Sequence, residues 1–228
     1  MKRQTYLFSF LLMIFSGSLL FSGPVREKDS DSNATSTNQI VKIKLSYVDG
    51  EVSIDGKPAE VGQLLPLKCS IKTGRESSCE IIFSDKNIIQ IRQNTQTTLD
   101  FTAPSIQIEL KTGGVAAVLK KLTKVINNDD SFIINSPAAS AGVRGTSLCV
   151  WSDGTNSYVC TCNGTVRTLD PKGSNEIVTT AAHHTAHLYV PKESEYTVMP
   201  AGLEHHTDED IEKLAEKIGV TIDWTRAD

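Results

Sequence analysis

The chain has 228 residues, of which 39% are hydrophobic and 22% are charged. These proportions are typical of a soluble globular protein, and they exclude a polytopic membrane protein and a wholly disordered chain. The formal net charge is −4 and no basic stretch stands out, so the chain lacks the cationic surface that a nucleic-acid-binding protein needs.

The first 23 residues differ from the rest of the chain. Lys2 and Arg3 precede an apolar stretch over residues 6–21, and small residues follow at Ser22 and Gly23. This order is typical of a secretory signal peptide, with an uncleaved N-terminal anchor as the alternative. Both interpretations predict a periplasmic or otherwise extracytoplasmic protein. Membrane contact is expected only through the N-terminus, and only if it stays uncleaved.

Residues 24–40 are polar and small, and they include no aromatic side chain. Such a segment cannot bury enough apolar surface to offset the entropy lost on ordering, so we predict a flexible linker.

Residues 41–190 are predicted to form an all-β body. From Val41 to Tyr47, apolar and polar side chains alternate, which is typical of a strand with one buried face. Further strands are predicted at 51–55, 67–73, 78–84, 88–92, 97–101, 105–111, 132–135, 146–151, 156–162, 165–169, 176–180 and 186–190. Short turns separate them at roughly eight- to twelve-residue spacing, which predicts a sandwich or roll of short, mostly antiparallel strands.

Two further segments complete the prediction. Residues 115–125 suit a helix by their apolar pattern and a strand by their position, and we favour a strand. Residues 191–228 form a C-terminal extension with one short helix at about 208–218. Thr207 can cap this helix, and its first turn is acidic, which the helix dipole favours.

The sequence NSPAASAGVRGTSLCV occupies residues 135–150. Upstream, Gly50-Glu51-Val52 opens a strand, and the sequence TGRESS at residues 73–78 leads into another strand. Downstream lies Gly164-Thr165-Val166. In this order the pieces resemble the FecR domain family, over about residues 45–167. The resemblance implies an extracytoplasmic all-β module, found in regulators that relay iron–siderophore signals to a sigma factor and also as a stand-alone exported domain.

The chain departs from those regulators at both ends. Only Met1 to Thr5 precede the apolar segment, and residues 191–228 are too few for the receptor-facing domain that such regulators carry. We therefore expect a stand-alone exported module rather than a regulator of a sigma factor.

The central FecR-like motif comprises Gly142, Val143, Arg144, Gly145 and Thr146. We interpret it as structural, since glycines permit positive φ angles or close backbone packing. Arg144 suits hydrogen bonding to loop carbonyls or to a carboxylate, and an anion contact is the alternative.

Five cysteines in an exported protein leave at least one thiol unpaired, unless it meets a partner or a metal. Cys69 and Cys79 lie five residues on either side of Gly74. If that glycine centres a hairpin, the two cysteines face each other, and a disulfide or two buried free thiols fit equally.

The remaining cysteines and all histidines lie in the second half of the chain. Cys160 and Cys162 point the same way in a strand, about 6.6 Å apart by the strand rise. With His183, His184, His187, His205 and His206 they form a candidate site for zinc, another soft to borderline metal, or haem. The alternative is a disulfide from Cys149 to Cys160 or Cys162, with the histidines on solvated loops.

The sequence contains no nucleophile elbow, no His-Glu-x-x-His and no phosphate-binding loop, so we expect no enzyme. Two hypotheses about function follow. In the first, the chain is a non-enzymatic FecR-like module that binds or senses an envelope protein or a small ligand. In the second, it is a metal- or haem-binding envelope protein that uses the Cys/His cluster.

Overall fold

The alternating apolar and polar residues form strands in the computed structural model, which describes residues 42–84, 86–102, 105–120 and 132–227, without the side chain of Arg144. The predicted signal peptide or anchor and the linker lie outside the described residues. Within the described residues, no helix is long and apolar enough to cross a membrane.

The described residues form fourteen strands and one helix. The elements are β1 (Ile43–Asp49), β2 (Val52–Ile54), β3 (Lys57–Pro58), β4 (Lys68–Thr73), β5 (Ser78–Phe83), β6 (Asn87–Ile91), β7 (Gln96–Asp100), β8 (Ile106–Leu119), β9 (Phe132–Asn135), β10 (Ser140–Ser152), β11 (Ser157–Leu169), β12 (Glu176–Ala181), β13 (Thr185–Lys192), β14 (Glu195–Ala201) and α1 (Asp208–Glu216). The predicted all-β class with one short C-terminal helix is confirmed.

All of these strands belong to one hydrogen-bonded sheet. Every described pairing is antiparallel except that of β8 with β9. The first half of β8 pairs with β7 and β9, and its second half pairs with β6 and β10. Strands that pair with each half of β8 contribute side chains to the same larger core cluster.

The second half of β8 is buried on both faces. Val115, Ala117 and Leu119 contribute to the larger core cluster, whereas Ala116 and Val118 contribute to a second cluster. Successive side chains of a strand point to opposite faces of the sheet, so alternate residues of β8 contribute to different clusters. The second cluster also contains Cys149, Tyr158, Cys160 and Cys162, together with the buried face of α1.

Helix α1 covers this second face. Thr207 caps it in a capping box with Asp210, and Ile211, Leu214 and Ala215 are buried against the sheet. The helix ends at Glu216 rather than at the predicted Ile218, since Gly219 adopts a φ of +67°.

Several predicted boundaries are corrected. The strand predicted at 105–111 and the first part of the ambiguous segment belong to one strand, β8 (Ile106–Leu119). Residues 121–125 of the ambiguous segment lie outside the described residues. The two strands predicted at 156–162 and 165–169 are a single strand, β11. Strand β14 was not predicted, because its side chains are exposed or only half-buried and its apolar alternation is weak.

The predicted hairpin between Cys69 and Cys79 is wrong. Cys69 in β4 lies opposite Leu99 of β7, and Cys79 in β5 lies opposite Val48 and Ile91. The two strands do not pair with each other, so the geometry proposed for a disulfide does not arise. Both cysteines are buried free thiols, and burial raises the pKa of Cys69 to about 11 and of Cys79 to about 12.

The FecR-like motif lies inside β10 rather than in a loop before a strand. Its register against β11 shifts between Val143 and Thr146, so the motif contains a β-bulge. Gly145 has a φ of +140° in this bulge, a backbone conformation that would be strained for a residue with a side chain. Gly142 instead pairs in regular register with Arg167 and Ile133.

Candidate metal centre

Strand β11 supplies two cysteines to the second face of the sheet. The register against β10 passes from Leu148 opposite Thr161 to Ser147 opposite Asn163, so Cys162 is the extra residue of a β-bulge. Bulges re-aim side chains and are frequent beside functional sites. The sulfurs of Cys160 and Cys162 are 3.9 Å apart, much closer than a regular strand would place them.

Two histidines reach the same point from other parts of the chain. His184 lies in the turn between β12 and β13, where its backbone N–H donates to the carbonyl of Cys162. His206 lies in the loop before α1. The Tyr158 hydroxyl holds this loop in place, since it donates to the carbonyl of Gly202 and accepts from the N–H of Glu204.

The four side chains converge on one point. Nδ1 of His184 lies 3.5 Å from the Cys160 sulfur, Nε2 of His206 lies 3.3 Å from the Cys162 sulfur, and these two nitrogens are 3.3 Å apart. All four ligand atoms lie within 4.8 Å of one another.

These separations match the edges of a zinc coordination tetrahedron. Bonds of the usual Zn–S and Zn–N lengths place two sulfurs about 3.8 Å apart, a sulfur and a nitrogen about 3.6 Å apart, and two nitrogens about 3.3 Å apart. A Cys₂His₂ ligand set is typical of structural zinc sites. The four residues therefore fit one tetrahedral ion with little movement.

The outer ring nitrogens are also paired. Nε2 of His184 lies 2.9 Å from Oδ1 of Asp208, and Nδ1 of His206 lies 2.9 Å from the carbonyl oxygen of Glu204. Metal-binding histidines usually donate their second N–H to a carboxylate or a backbone carbonyl, which fixes the tautomer and the ring orientation. In the neutral form of each ring, this pattern leaves the inward-facing nitrogen without a proton and able to bind a metal.

The C-terminal tail closes the site. The Trp224 ring packs 4.9 Å from the rings of His183 and His184. The side-chain amide of Asn163 donates to the carbonyls of Ala182, Asp223 and Arg226, which ties the tail and the His184 turn to β11. As a result, both cysteines are 0% exposed, and the His184 and His206 side chains are nearly buried.

The surroundings shift the pKa values of Cys160, Cys162 and His206. A hydrogen bond from Cys162 lowers the pKa of Cys160 against the effect of burial, and contacts with His184 and His206 add to this. Burial raises the pKa of Cys162. Burial also opposes a charged His206, but hydrogen bonds to Cys149 and Cys160 outweigh it and raise the pKa of that ring to about 10. Without a metal, these shifts favour a thiolate at Cys160 and a protonated ring at His206.

The other predicted histidines lie outside this group of four. His183 is half-exposed and contacts Oδ2 of Asp208 at 2.9 Å. His187 lies in β13 opposite Val159 and Pro200, and His205 stacks on Trp151.

The alternative of a disulfide from Cys149 to Cys160 or Cys162 stays a prediction: all five cysteines are free thiols in this structure, and Cys149 lies opposite Cys160 in the β10–β11 pair. That alternative places the histidines on solvated loops, yet the side chains of His184 and His206 are nearly buried.

Sequence reasoning missed Asp208. Its only signal was its position beside the predicted helix cap at Thr207, which explains the acidic first turn without any reference to histidine. The three-dimensional proximity of Asp208 to His183 and His184 follows from how α1 docks, and no spacing in the sequence encodes it.

Comparisons with known proteins concern the fold around this site. A family model described as FecR protein matches residues 70–167. This segment belongs to the FecR family. It includes the bulged motif of β10 and both cysteines of β11, whereas His184, His206 and Asp208 follow the matched FecR segment. None of the curated proteins with which the chain was compared matches it.

Two crystal structures of a proposed anti-sigma factor from Parabacteroides distasonis are similar in fold, each at 14% sequence identity. The first has a TM-score of 0.46 and covers 59% of this chain and 60% of its own. The second has a TM-score of 0.43 and covers 57% of this chain and 59% of its own. The chain thus spans about three fifths of the length of each of these structures.

Proposed function

We propose that this protein is a non-enzymatic FecR-domain module that works outside the cytoplasm and binds a zinc-like divalent ion through Cys160, Cys162, His184 and His206. One observation carries the proposal: two thiols and two imidazole nitrogens meet at tetrahedral distances. Their outer nitrogens are paired as in metal sites.

The geometry favours a closed site. Four protein ligands fill a tetrahedral shell, and catalytic zinc sites usually keep one position for water or substrate. The space between ligand atoms that all lie within 4.8 Å suits a single ion and is far too small for a haem. The thiolate–imidazolium pair could act as a nucleophile in an open cleft, but Cys160 is 0% exposed and no substrate can approach it.

The metal would join three parts of the chain. Its ligands come from β11, from the turn before β13 and from the loop before α1. A metal ion there would hold the C-terminal extension on the FecR domain, and so shape the surface that this module offers to an envelope protein or a small ligand. That binding role rests on the family and on the predicted export signal.

Metal content tests the proposal. Protein purified without chelators should contain one zinc ion per chain by elemental mass spectrometry. Cys160→Ser and His206→Ala should lose it, whereas His187→Ala, which alters a histidine outside the group, should keep it. Wild-type protein that neither contains nor takes up zinc, nickel or cobalt would contradict the proposal.

Export is tested separately by cell fractionation. We expect the protein in the periplasm or envelope fraction, as the apolar segment over residues 6–21 predicts. A cytoplasmic protein would remove the extracytoplasmic part of the proposal.

A further inference from the structure

A cavity of about 480 Å³ lies between the sheet and the C-terminal tail. Its walls come from the end of β8 at 118–120, the bulge of β10 at 145–147, Asn163 and Thr165 of β11, and residues 219–222 after α1. None of the four metal ligands lines it. Binding sites for small molecules are usually concave, mostly apolar and roughly 300 to 1,000 Å³ in volume, so this cavity has the size of such a site.

We propose that this cavity binds a single-chain carboxylate, with the alkyl chain inside the cavity and the carboxylate at Lys120. The inference rests on the proposed function, because it gives a chemical class to the small ligand that the module would bind. Three features support it: the apolar surface of the cavity, the pairing of its polar groups, and the charge at its edge.

The apolar surface comes from both the sheet and the tail. Val118 and Leu119 of β8 are each 4% exposed. Val220 and Ile222 of the tail are partly buried and pack against the second core cluster. An alkyl chain among these four residues is removed from water, and each further CH₂ group that fits should strengthen binding about fourfold.

The polar groups of the sheet wall are already paired. The hydroxyls of Thr146 and Ser147 donate to the carbonyl of Asn163. The side-chain amide of Asn163 donates to backbone carbonyls of the turn and the tail, and the Thr165 hydroxyl pairs with that of Thr180. A ligand rich in hydrogen-bonding groups, such as a sugar, would lose bonds to water here without gaining equivalent ones. This wall therefore favours an alkyl chain.

The charge comes from Lys120. Among the described residues that line the cavity, Lys120 is the one that carries a charge. Its side chain is exposed and forms no ion pair with another described residue. An ammonium at the edge of an apolar cavity complements an anionic head group that stays in contact with water, so neither charge has to be buried. One lysine balances one negative charge, which favours a carboxylate over a doubly charged phosphate ester.

The FecR-like motif contributes to the cavity through its bulge. Gly145, Thr146 and Ser147 line the cavity at the point where the register of β10 against β11 shifts. Gly145 carries no side chain that could fill the space. The residue that permits the bulge thus also leaves room for a ligand.

Calorimetric titration of the purified protein with octanoate and decanoate tests the proposal. We expect one molecule bound per chain, and decanoate should bind about 16-fold more tightly than octanoate, because it has two more CH₂ groups. Decyltrimethylammonium, which has a similar chain and the opposite charge, should bind more weakly than decanoate. Absence of decanoate binding, or equal affinities for the three compounds, would contradict the inference.

Lys120→Gln tests the contact with the head group. Its affinity for decanoate should fall about two- to fivefold, which is the range of an exposed ion pair, and its affinity for neutral 1-octanol should not change. Lys72→Gln is the control, because Lys72 is exposed in β4, which does not line the cavity. No loss in Lys120→Gln, or an equal loss in both variants, would contradict a carboxylate held at Lys120.

Amide NMR spectra locate the ligand. Decanoate should shift the resonances of residues 118–120, 145–147 and 219–222 and leave those of β4 unchanged, whereas shifts confined to other residues would contradict the site. The zinc content of the same preparation distinguishes the possible failures. Zinc-loaded protein that does not bind decanoate contradicts this inference alone. Protein that binds decanoate but takes up no metal contradicts the metal centre alone, because no metal ligand lines the cavity.

Discussion

At the scale of single residues, the centre depends on groups that never touch the metal. Asp208 lies behind His184, with its Oδ1 2.9 Å from Nε2 of that ring. Asp208→Asn keeps the size of the side chain and removes its charge, so the ring is a weaker ligand. We expect zinc affinity to fall about 10- to 100-fold with unchanged stoichiometry, measured by competition with a chelating dye.

The matched control for Asp208 is Glu209→Gln in the same helical turn. Its side chain is 74% exposed and pairs with Lys213 rather than with a histidine. This variant should bind zinc like wild type. Equal losses in both variants would mean that the charge of the turn matters and that the contact with His184 does not.

Protons should compete with the metal. Zinc binds thiolates and neutral imidazoles. Burial lowers the pKa of His206, but hydrogen bonds to Cys149 and Cys160 outweigh it and raise that pKa to about 10. Burial raises the pKa of Cys162. These shifts favour a positively charged His206 ring and a neutral Cys162 thiol at neutral pH. Cys160, whose pKa is lowered by its hydrogen bond from Cys162, carries none.

Binding should therefore release about two protons per ion near neutral pH, one from His206 and one from Cys162, and apparent affinity should rise about 100-fold per pH unit. Calorimetry in two buffers that differ in ionisation enthalpy measures the protons. Binding without proton release, at an affinity that does not change with pH, would show that the ligands are not these thiols and imidazoles.

At the scale of elements, the docking of α1 decides whether the site exists. Lys217 directly follows the helix, and its Nζ lies 2.7 and 2.6 Å from the two carboxylate oxygens of Glu80 in β5. The Glu80 side chain is only 4% exposed. Lys217→Met leaves that buried carboxylate without its cation, so we expect the free energy of unfolding to fall by about 2 kcal/mol.

Chemical denaturation of the metal-loaded protein measures this loss. Lys213→Met is the control, because Lys213 pairs with Glu209 where both side chains are exposed. Surface pairs of this kind contribute little, and its loss should cost less than about 0.5 kcal/mol. Similar losses in the two variants would mean that the buried position of Glu80 does not make its ion pair with Lys217 more stabilising than an exposed pair.

The strands were predictable where alternation was strong. β1 and β5 carry apolar residues at every second position and were found within two residues of their ends. β14 was missed because its side chains are hardly buried, and the pairing of β4 with β7 was missed because a short turn at Gly74 suggested a hairpin. Pairing depends on the whole sheet, which local patterns do not specify.

The residue types of the candidate site could be predicted from the sequence, but not which of the histidines belong to it. Cys160 and Cys162 share a face because they lie two apart in a strand, and this the sequence pattern could indicate. His184 and His206 were distinguished from their neighbours by a turn and a loop whose backbones both adopt positive φ, at 36° for His184 and 64° for His205. The sequence does not distinguish the two histidines of each adjacent pair. The backbone angles of the turn and the loop determine which ring points toward the cysteines.

At the scale of the whole molecule, the metal would join the C-terminal extension to the FecR domain. The larger core cluster lies on the other face of the sheet and does not contain the ligands. Chelation should therefore increase hydrogen exchange in residues 202–218 and leave β4 and β7 protected, because exchange reports local opening. Uniform deprotection of the entire chain would indicate that the metal supports the whole fold instead.

X-ray absorption at the zinc edge of the purified protein tests the central claim most directly, because it reports which atoms surround the ion. We predict two sulfurs at about 2.3 Å and two nitrogens at about 2.0 to 2.1 Å. The sulfur contribution should fall by half in Cys162→Ser, if that variant retains the ion. A shell made only of oxygen and nitrogen atoms would contradict a centre built from Cys160, Cys162, His184 and His206.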